Sequence, residues 1–185
     1  MEIIFVTGGA RSGKSRFAEK KAGKEGEKVI YIATAQALDE EMVHRISIHR
    51  GRRPSTWETL EEPMYLSKVL QQIKDDGKYE EYRTVLIDCM ALLTSNWACS
   101  IDAENGSERE NLRKEYIEEI ENMLKLAKSL KQKVIIVSNE VGMGLVPEYP
   151  LGRFYRDLLG EVNQIIAAAS DEVYFMVSGI PLKIK

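Results

Sequence analysis

The amino-acid sequence predicts an α/β fold, a single domain over residues 1–185 built on a mostly parallel, doubly wound sheet. Two observations point there. Short apolar runs alternate with longer amphipathic stretches, and the first run passes through a glycine-rich turn straight into a helical segment. Buried strands are expected at residues 3–6, 29–33, 85–87, 134–137 and 173–177. Helices are expected at 15–22, 39–50, 63–74, 108–130 and 152–169. In such sheets ligands gather beyond the carboxyl ends of the strands, so the residues just past each strand are the informative ones. No repeat, low-complexity tract or Pro/Gly-rich linker divides the chain.

After the first strand stand Gly8-Gly9-Ala10-Arg11-Ser12-Gly13-Lys14-Ser15, which fit the phosphate-loop pattern G-x-x-x-x-G-K-[ST] without a mismatch. Gly8 and Gly13 permit backbone angles that turn successive N–H groups onto one concave surface. Lys14 adds a positive charge for the outer phosphates, Ser15 offers a hydroxyl to Mg²⁺, and the helix N-terminus behind them favours an anion. The alternative is a glycine-rich β–α turn with no ligand. The second strand is followed by Ala33-Thr34-Ala35-Gln36, small and polar, which suits either close approach of a ligand or a plain turn.

Residues 39–63 are less ordinary. Both histidines, His44 and His49, lie here, and Arg50, Arg52 and Arg53 follow His49 around Gly51 in a chain that is acidic overall. With Arg45, these arginines can neutralise and orient a triphosphate. Neighbouring positive charge also disfavours the imidazolium, which keeps a ring nitrogen available for attack on an α-phosphate. A surface helix ending in a basic, solvated cluster explains the same residues. His44 and His49 are five apart and do not share a helical face. Glu61 and Glu62 follow a short strand expected at 56–60, where they can accept from a ribose or base, or cap the next helix.

The third run places Asp88 at its end, either as a Walker B carboxylate beside Mg²⁺ or as the N-cap of a helix starting near Met90. Following the fourth run, Asn139 and Glu140 open a loop with Gly142, Gly144 and Pro147, a site candidate without an assignable role. Leu112, Tyr116, Ile120, Met123, Leu124, Ala127 and Leu130 step along residues 108–131 at three- and four-residue intervals, the packing stripe of a solvated helix. Residues 100–107 before it read as a surface loop, and Trp97 as a core or subunit-contact residue.

Bulk properties narrow the function further. Hydrophobic residues at 44% and charged residues at 30% fit a soluble globular protein, and the net charge of −3 gives no global attraction to nucleic acid or an anionic membrane. Cys89 and Cys99 form neither a metal pattern nor a disulfide framework. No apolar run is long enough to span a membrane, no signal peptide is expected after Met1, and the cytoplasm is the expected compartment.

Several blocks resemble one family closely. They are Gly8–Ser15, Tyr31-Ile32-Ala33-Thr34-Ala35, Arg45-Ile46-Ser47-Ile48-His49, Arg53-Pro54, Trp57-Glu58-Thr59-Leu60-Glu61, Asn139-Glu140-Val141-Gly142-Met143-Gly144, and the stretch from Asp171 to Lys185. They stand in the order of the bifunctional adenosylcobinamide kinases/adenosylcobinamide-phosphate guanylyltransferases of cobalamin biosynthesis, over essentially the whole length. The resemblance implies a RecA-like P-loop NTPase fold. It implies phosphorylation of adenosylcobinamide by ATP or GTP, then transfer of GMP from GTP through a guanylylated histidine to give adenosylcobinamide-GDP. It further implies His49 and Lys14 as catalytic residues, and a triphosphate cradled by Gly8–Ser15. Ala33, Thr34, Ala35, Arg50, Gly51, Arg52, Arg53, Glu61 and Asp88 would contact the nucleotide, Ser15 and Asp88 would hold Mg²⁺, and copies would assemble as a homotrimer. Two other functions fit the bare motifs: a kinase of another small alcohol without a covalent step, and a nucleotide-binding switch module.

Overall fold

The computed structural model describes residues 2–23, 27–37, 39–51, 53–102 and 104–185, with only the backbone of residues 41, 45 and 49. Strands β1 (Ile3–Gly8), β2 (Val29–Ala33), β3 (Glu58–Glu61), β4 (Thr84–Asp88), β5 (Lys133–Val137), β6 (Glu172–Val177) and β7 (Ile180–Lys183) form one sheet, ordered β3-β2-β4-β5-β1-β6-β7. Every neighbouring pair is parallel except β6 with β7. The helices are α1 (Lys14–Ala22), α2 (Glu40–Gly51), α3 (Leu66–Asp75), α4 (Met90–Ala98), α5 (Gly106–Ser129) and α6 (Pro150–Ala169).

The strand order decides which face each helix takes. From β1 the chain moves one way along the sheet to β2 and β3, then returns through β4 and β5 to β6 on the far side of β1. Right-handed crossovers therefore put α1 on one face and α3 to α6 on the other. The alternation within β1 matches. Ile3 and Phe5 join Ile30, Val85 and Val134 in the larger core against Leu70 of α3, Met90 of α4, Ile120 of α5 and Val162 of α6. Ile4 and Val6 join Tyr31, Leu86, Ile135 and Met176 against Ala18 and Ala22 of α1. Strands buried on both faces read as continuous apolar runs, which is why they were legible. Each such side chain contributes about 1.5–3 kcal/mol by leaving water.

Capping groups moved several boundaries. The helix expected from residue 63 starts at Leu66, because the Glu62 carboxylate accepts from the Met64 and Tyr65 N–H groups and holds them in a turn. The Asn105 side chain accepts from Ser107 N and Glu108 N, so α5 begins at Gly106 and takes in the end of the expected loop. The strand expected from residue 56 begins at Glu58, since Trp57 N still closes a turn onto the Pro54 carbonyl. Asp88 does not cap α4; Cys89 occupies the N-cap position without a side-chain hydrogen bond.

Strand β7 has no counterpart among the expected elements. Ser178 and Gly179, at φ 51° and 84°, make a two-residue hairpin turn that returns Ile180 onto Val177. The turn carries a serine where asparagine or aspartate is the usual signal. None of the described helices is long and apolar enough to cross a membrane.

Candidate active site

The loop between β1 and α1 is held on three sides. Gly8 has no room for a side chain: a β-carbon there would lie 2.7 Å from the Met176 carbonyl oxygen and 2.8 Å from Ser12 Oγ. Gly13, at φ 90°, takes the left-handed conformation that delivers the chain into α1, with Gly179 Cα only 3.3 Å from where its β-carbon would stand. Glu140 N donates to the Gly8 carbonyl at 3.0 Å, and Gly179 N to the Ser12 carbonyl at 2.9 Å. The segments leaving β5 and β6 thus brace the loop leaving β1.

Within the loop, Lys14 Nζ donates to the Gly9 carbonyl at 3.0 Å, and burial lowers the ammonium pKa despite the opposing pull of the Asp88 carboxylate. Ser12 Oγ is buried and finds no hydrogen-bond partner among the described residues. A buried cation and an unpaired buried hydroxyl beside a helix N-terminus fit an anion with several oxygens.

Across the sheet, Asp88 ends β4 level with Ala33 at the end of β2. The Tyr31 hydroxyl donates to Asp88 Oδ2 at 3.0 Å. The Arg53 guanidinium lies over the same ring, its carbon 3.4 Å from the centroid, while Nη1 donates to Thr59 Oγ1 at 3.0 Å. Arg53 Nε is buried without a partner among the described residues. Arg50, in the last turn of α2, forms an ion pair with Glu61 at the end of β3.

These groups line one cleft of about 700 Å³. Ala10, Arg11, Ser12, Gly13, Lys14, Ser15, Ala33, Ala35, Arg50, Arg53, Glu61 and Asp88 all reach it, as does Asn139. Gly8, Gly9, Thr34 and Gly51 do not. Thr34 is fully buried, and its hydroxyl accepts from Cys89 N and donates to Cys89 O, which ties the end of β2 to that of β4. Gly8 acts through the crowding described above. Arg52 and the His49 side chain lie outside the described residues; the backbone of position 49 is in α2.

Sequence reasoning passed over Tyr31, Met42, Ile46, Cys89 and Leu92, which also line the cleft. Tyr31 sits inside an apolar strand and reads as core; only its neighbour at Asp88 reveals the use of the hydroxyl. The Cys89 thiol pKa is pushed up to about 12, first by burial and then by Asp88, so it stays a neutral wall group. The loop after β5 divides its roles. Asn139 faces the cleft, whereas the Glu140 carboxylate turns back to accept from Gly142 N and Met143 N.

The family described as cobinamide kinase / cobinamide phosphate guanyltransferase matches residues 4–184. The chain belongs to this family. Curated relatives include the bifunctional adenosylcobalamin biosynthesis protein CobU of Salmonella typhimurium, 41% identical over 99% of both chains. The CobU of Escherichia coli is 39% identical, again over 99% of both, and the CobP of Pseudomonas aeruginosa is 42% identical over 98% of this chain and 96% of its own. The crystal structure of the RadB recombinase, 18% identical, aligns with a TM-score of 0.50 over 94% of this chain and 73% of its own. At that identity the likeness speaks for the fold, a RecA-like P-loop α/β domain.

Proposed function

We propose that this member of the cobinamide kinase / cobinamide phosphate guanyltransferase family carries out both reactions in one cleft. In the first, ATP or GTP phosphorylates the hydroxyl of adenosylcobinamide. In the second, GMP passes from GTP through His49 to the phosphorylated product, giving adenosylcobinamide-GDP. The observation that supports it is the convergence of the phosphate loop, Asp88 and the α2 arginine segment on one 700 Å³ cleft.

The first step is positioning and charge neutralisation. Loop N–H groups and Lys14 hold the outer phosphates, and the acceptor oxygen attacks the γ-phosphorus as the bond to the β-phosphate oxygen breaks. Ser15 and Asp88 present hard oxygen donors in the same cleft, a set that suits Mg²⁺. Bound there, Mg²⁺ would neutralise charge on the phosphate oxygens. Tyr31 holds one Asp88 oxygen and leaves the other to that task.

The second step needs a nucleophile on the α2 side. Met42 and Ile46 of α2 line the cleft, and position 49 follows them at steps of seven and three, the helical spacing of one stripe. Attack by the imidazole forms a P–N bond to the α-phosphorus and releases pyrophosphate. A phosphate oxygen of adenosylcobinamide phosphate then displaces the histidine and restores it. In this reading Arg50 and Arg53, which line the same cleft, balance phosphate charge as the bond to the α-phosphorus changes partners. Copies of the chain assemble in this reading, as a trimer, and work in the cytoplasm.

The test is covalent labelling. The protein is incubated with GTP labelled at the α-phosphate, denatured, and assayed for acid-labile, alkali-stable label. Label is expected on the wild type and absent from His49→Ala. No label on the wild type removes the guanylyltransferase step, and label lost instead in His44→Ala moves the nucleophile.

A further inference from the structure

The loop between β5 and α6 displays apolar side chains to solvent. Met143, Leu145, Val146 and Tyr149 are 79%, 97%, 62% and 63% exposed. Single exposed apolar residues are common on any surface, but four within seven positions of one loop are not. Its backbone is pinned. Glu140 accepts from Gly142 N at 2.6 Å and Met143 N at 3.1 Å, and Arg156 donates to the Gly142 carbonyl at 3.3 Å. Arg153 donates to the Pro147 carbonyl at 3.1 Å, and Gly152 packs so closely that a β-carbon there would lie 2.8 Å from both Pro147 and Tyr149. A loop fixed in this way holds its apolar groups out at the cost of leaving them hydrated, which favours whatever covers them.

Its position says what that is. Strand β5 lies between β4 and β1, so Asn139 at its end faces the gap between Asp88 and the Lys14 loop. That gap is where the outer phosphates belong. From Asn139 the chain runs away from the cleft onto the α6 side of the sheet, opposite the face packed by α1. The charged wall of the cleft, with Arg50, Arg53 and Glu61, belongs to α2 and the strands beside it. The β5–α6 loop supplies a rim next to the γ-phosphate end that is mainly apolar, its two carboxylates being Glu140, turned back onto the loop N–H groups, and the exposed Glu148.

We infer that loop 141–149 is the docking surface for the corrin ring of the acceptor, an inference that rests on the function proposed above. A corrin is a broad macrocycle with apolar faces and uncharged amide edges, and its reacting hydroxyl hangs on a flexible arm. Docked on Met143, Leu145, Val146 and Tyr149, the ring stays outside the cleft while the arm passes Asn139 toward the γ-phosphorus. The same dock serves both steps, because the macrocycle that receives the phosphoryl group is the one that later receives GMP.

The double variant Met143→Ser/Leu145→Ser tests this. Cobinamide binding is measured by equilibrium dialysis using the visible absorbance of the corrin, alongside kinase kinetics with each substrate varied. The expected result is a rise of about tenfold or more in the cobinamide KM and Kd, from the lost apolar contact. The nucleotide KM, α-phosphate labelling and molar mass by light scattering should be unchanged. An unchanged cobinamide KM overturns the dock. A changed molar mass with the cobinamide KM retained also overturns it and assigns the loop to contact between copies. Failure of the wild type to bind cobinamide overturns the dock and the proposed function together, whereas an active wild type with an unaffected variant strikes only the dock.

Discussion

The Tyr31 hydroxyl donates to Asp88 Oδ2 at 3.0 Å between the paired strands β2 and β4, and the face of the same ring lies against the Arg53 guanidinium at 3.4 Å. One buried aromatic therefore links the acid at the end of β4 to the arginine that follows α2. Burial, with the Asp88 charge adding to it, holds the phenol well above its ordinary range, so it remains a donor at any physiological pH.

Tyr31→Phe keeps the ring under Arg53 and removes only the donor. It should cost about 1 kcal/mol in urea unfolding and raise several-fold the Mg²⁺ concentration giving half-maximal kinase rate. Tyr31→Leu, which also removes the platform, should raise the nucleotide KM as well. An unchanged Mg²⁺ requirement in Tyr31→Phe would separate the tyrosine from the metal side.

At Gly8 the obstacle is backbone, the Met176 carbonyl oxygen 2.7 Å from an added β-carbon. Gly8→Ala must push β1 and β6 apart at their ends, so it should lose about 1–3 kcal/mol. The rise in Tm that nucleotide gives the wild type should vanish with it. A Gly8→Ala protein that keeps that rise would show that the loop tolerates the shift.

Lys14 and His49 should separate the two chemistries. Lys14→Ala removes a charge that the proposed mechanism uses in both reactions, and each rate should fall about 100-fold or more. His49→Ala should leave cobinamide phosphorylation near the wild-type rate and abolish GMP transfer, read by separating the corrinoid products. Loss of nucleotide binding in His49→Ala would make the residue structural.

Glu172 predicts how the edge of the sheet responds to acid. Its carboxyl pKa is lowered to about 2 by hydrogen bonds from Lys183, from Lys21 and from Tyr174. A carboxylate whose folded pKa lies below its unfolded value of about 4.3 stabilises the fold above that value, and the contribution disappears as pH falls toward 2. Glu172→Gln should therefore melt below the wild type near neutral pH, with the gap in Tm closing between about pH 4.3 and 2. A constant gap across that range would mean the loss is one of packing.

How much was legible depended on whether the signal was local. The phosphate loop could be read outright because its glycines, lysine and serine must be neighbours for their N–H groups and charges to meet one ligand. The strands were legible from apolar runs that both faces bury. The Asn105 cap and the Glu62 turn sit in plain view as residue types, yet nothing local says that these side chains, and not their neighbours, will be used. Tyr31, Arg53 and Asp88 became one unit only through the parallel pairing of β2 with β3 and β4, and no spacing in the chain encodes that meeting. Thr34 was drawn toward the nucleotide by its place at a strand end, and the structure turns it inward onto Cys89.

The hydrogen bond from Gly179 N to the Ser12 carbonyl ties the nucleotide loop to a turn that the ribosome makes much later. Translation is vectorial, so the loop emerges early and waits, unbraced on that side, until β6 and β7 have cleared the exit tunnel. A nascent chain stalled before residue 178 would carry the whole phosphate-loop sequence and still lack one wall of its cradle.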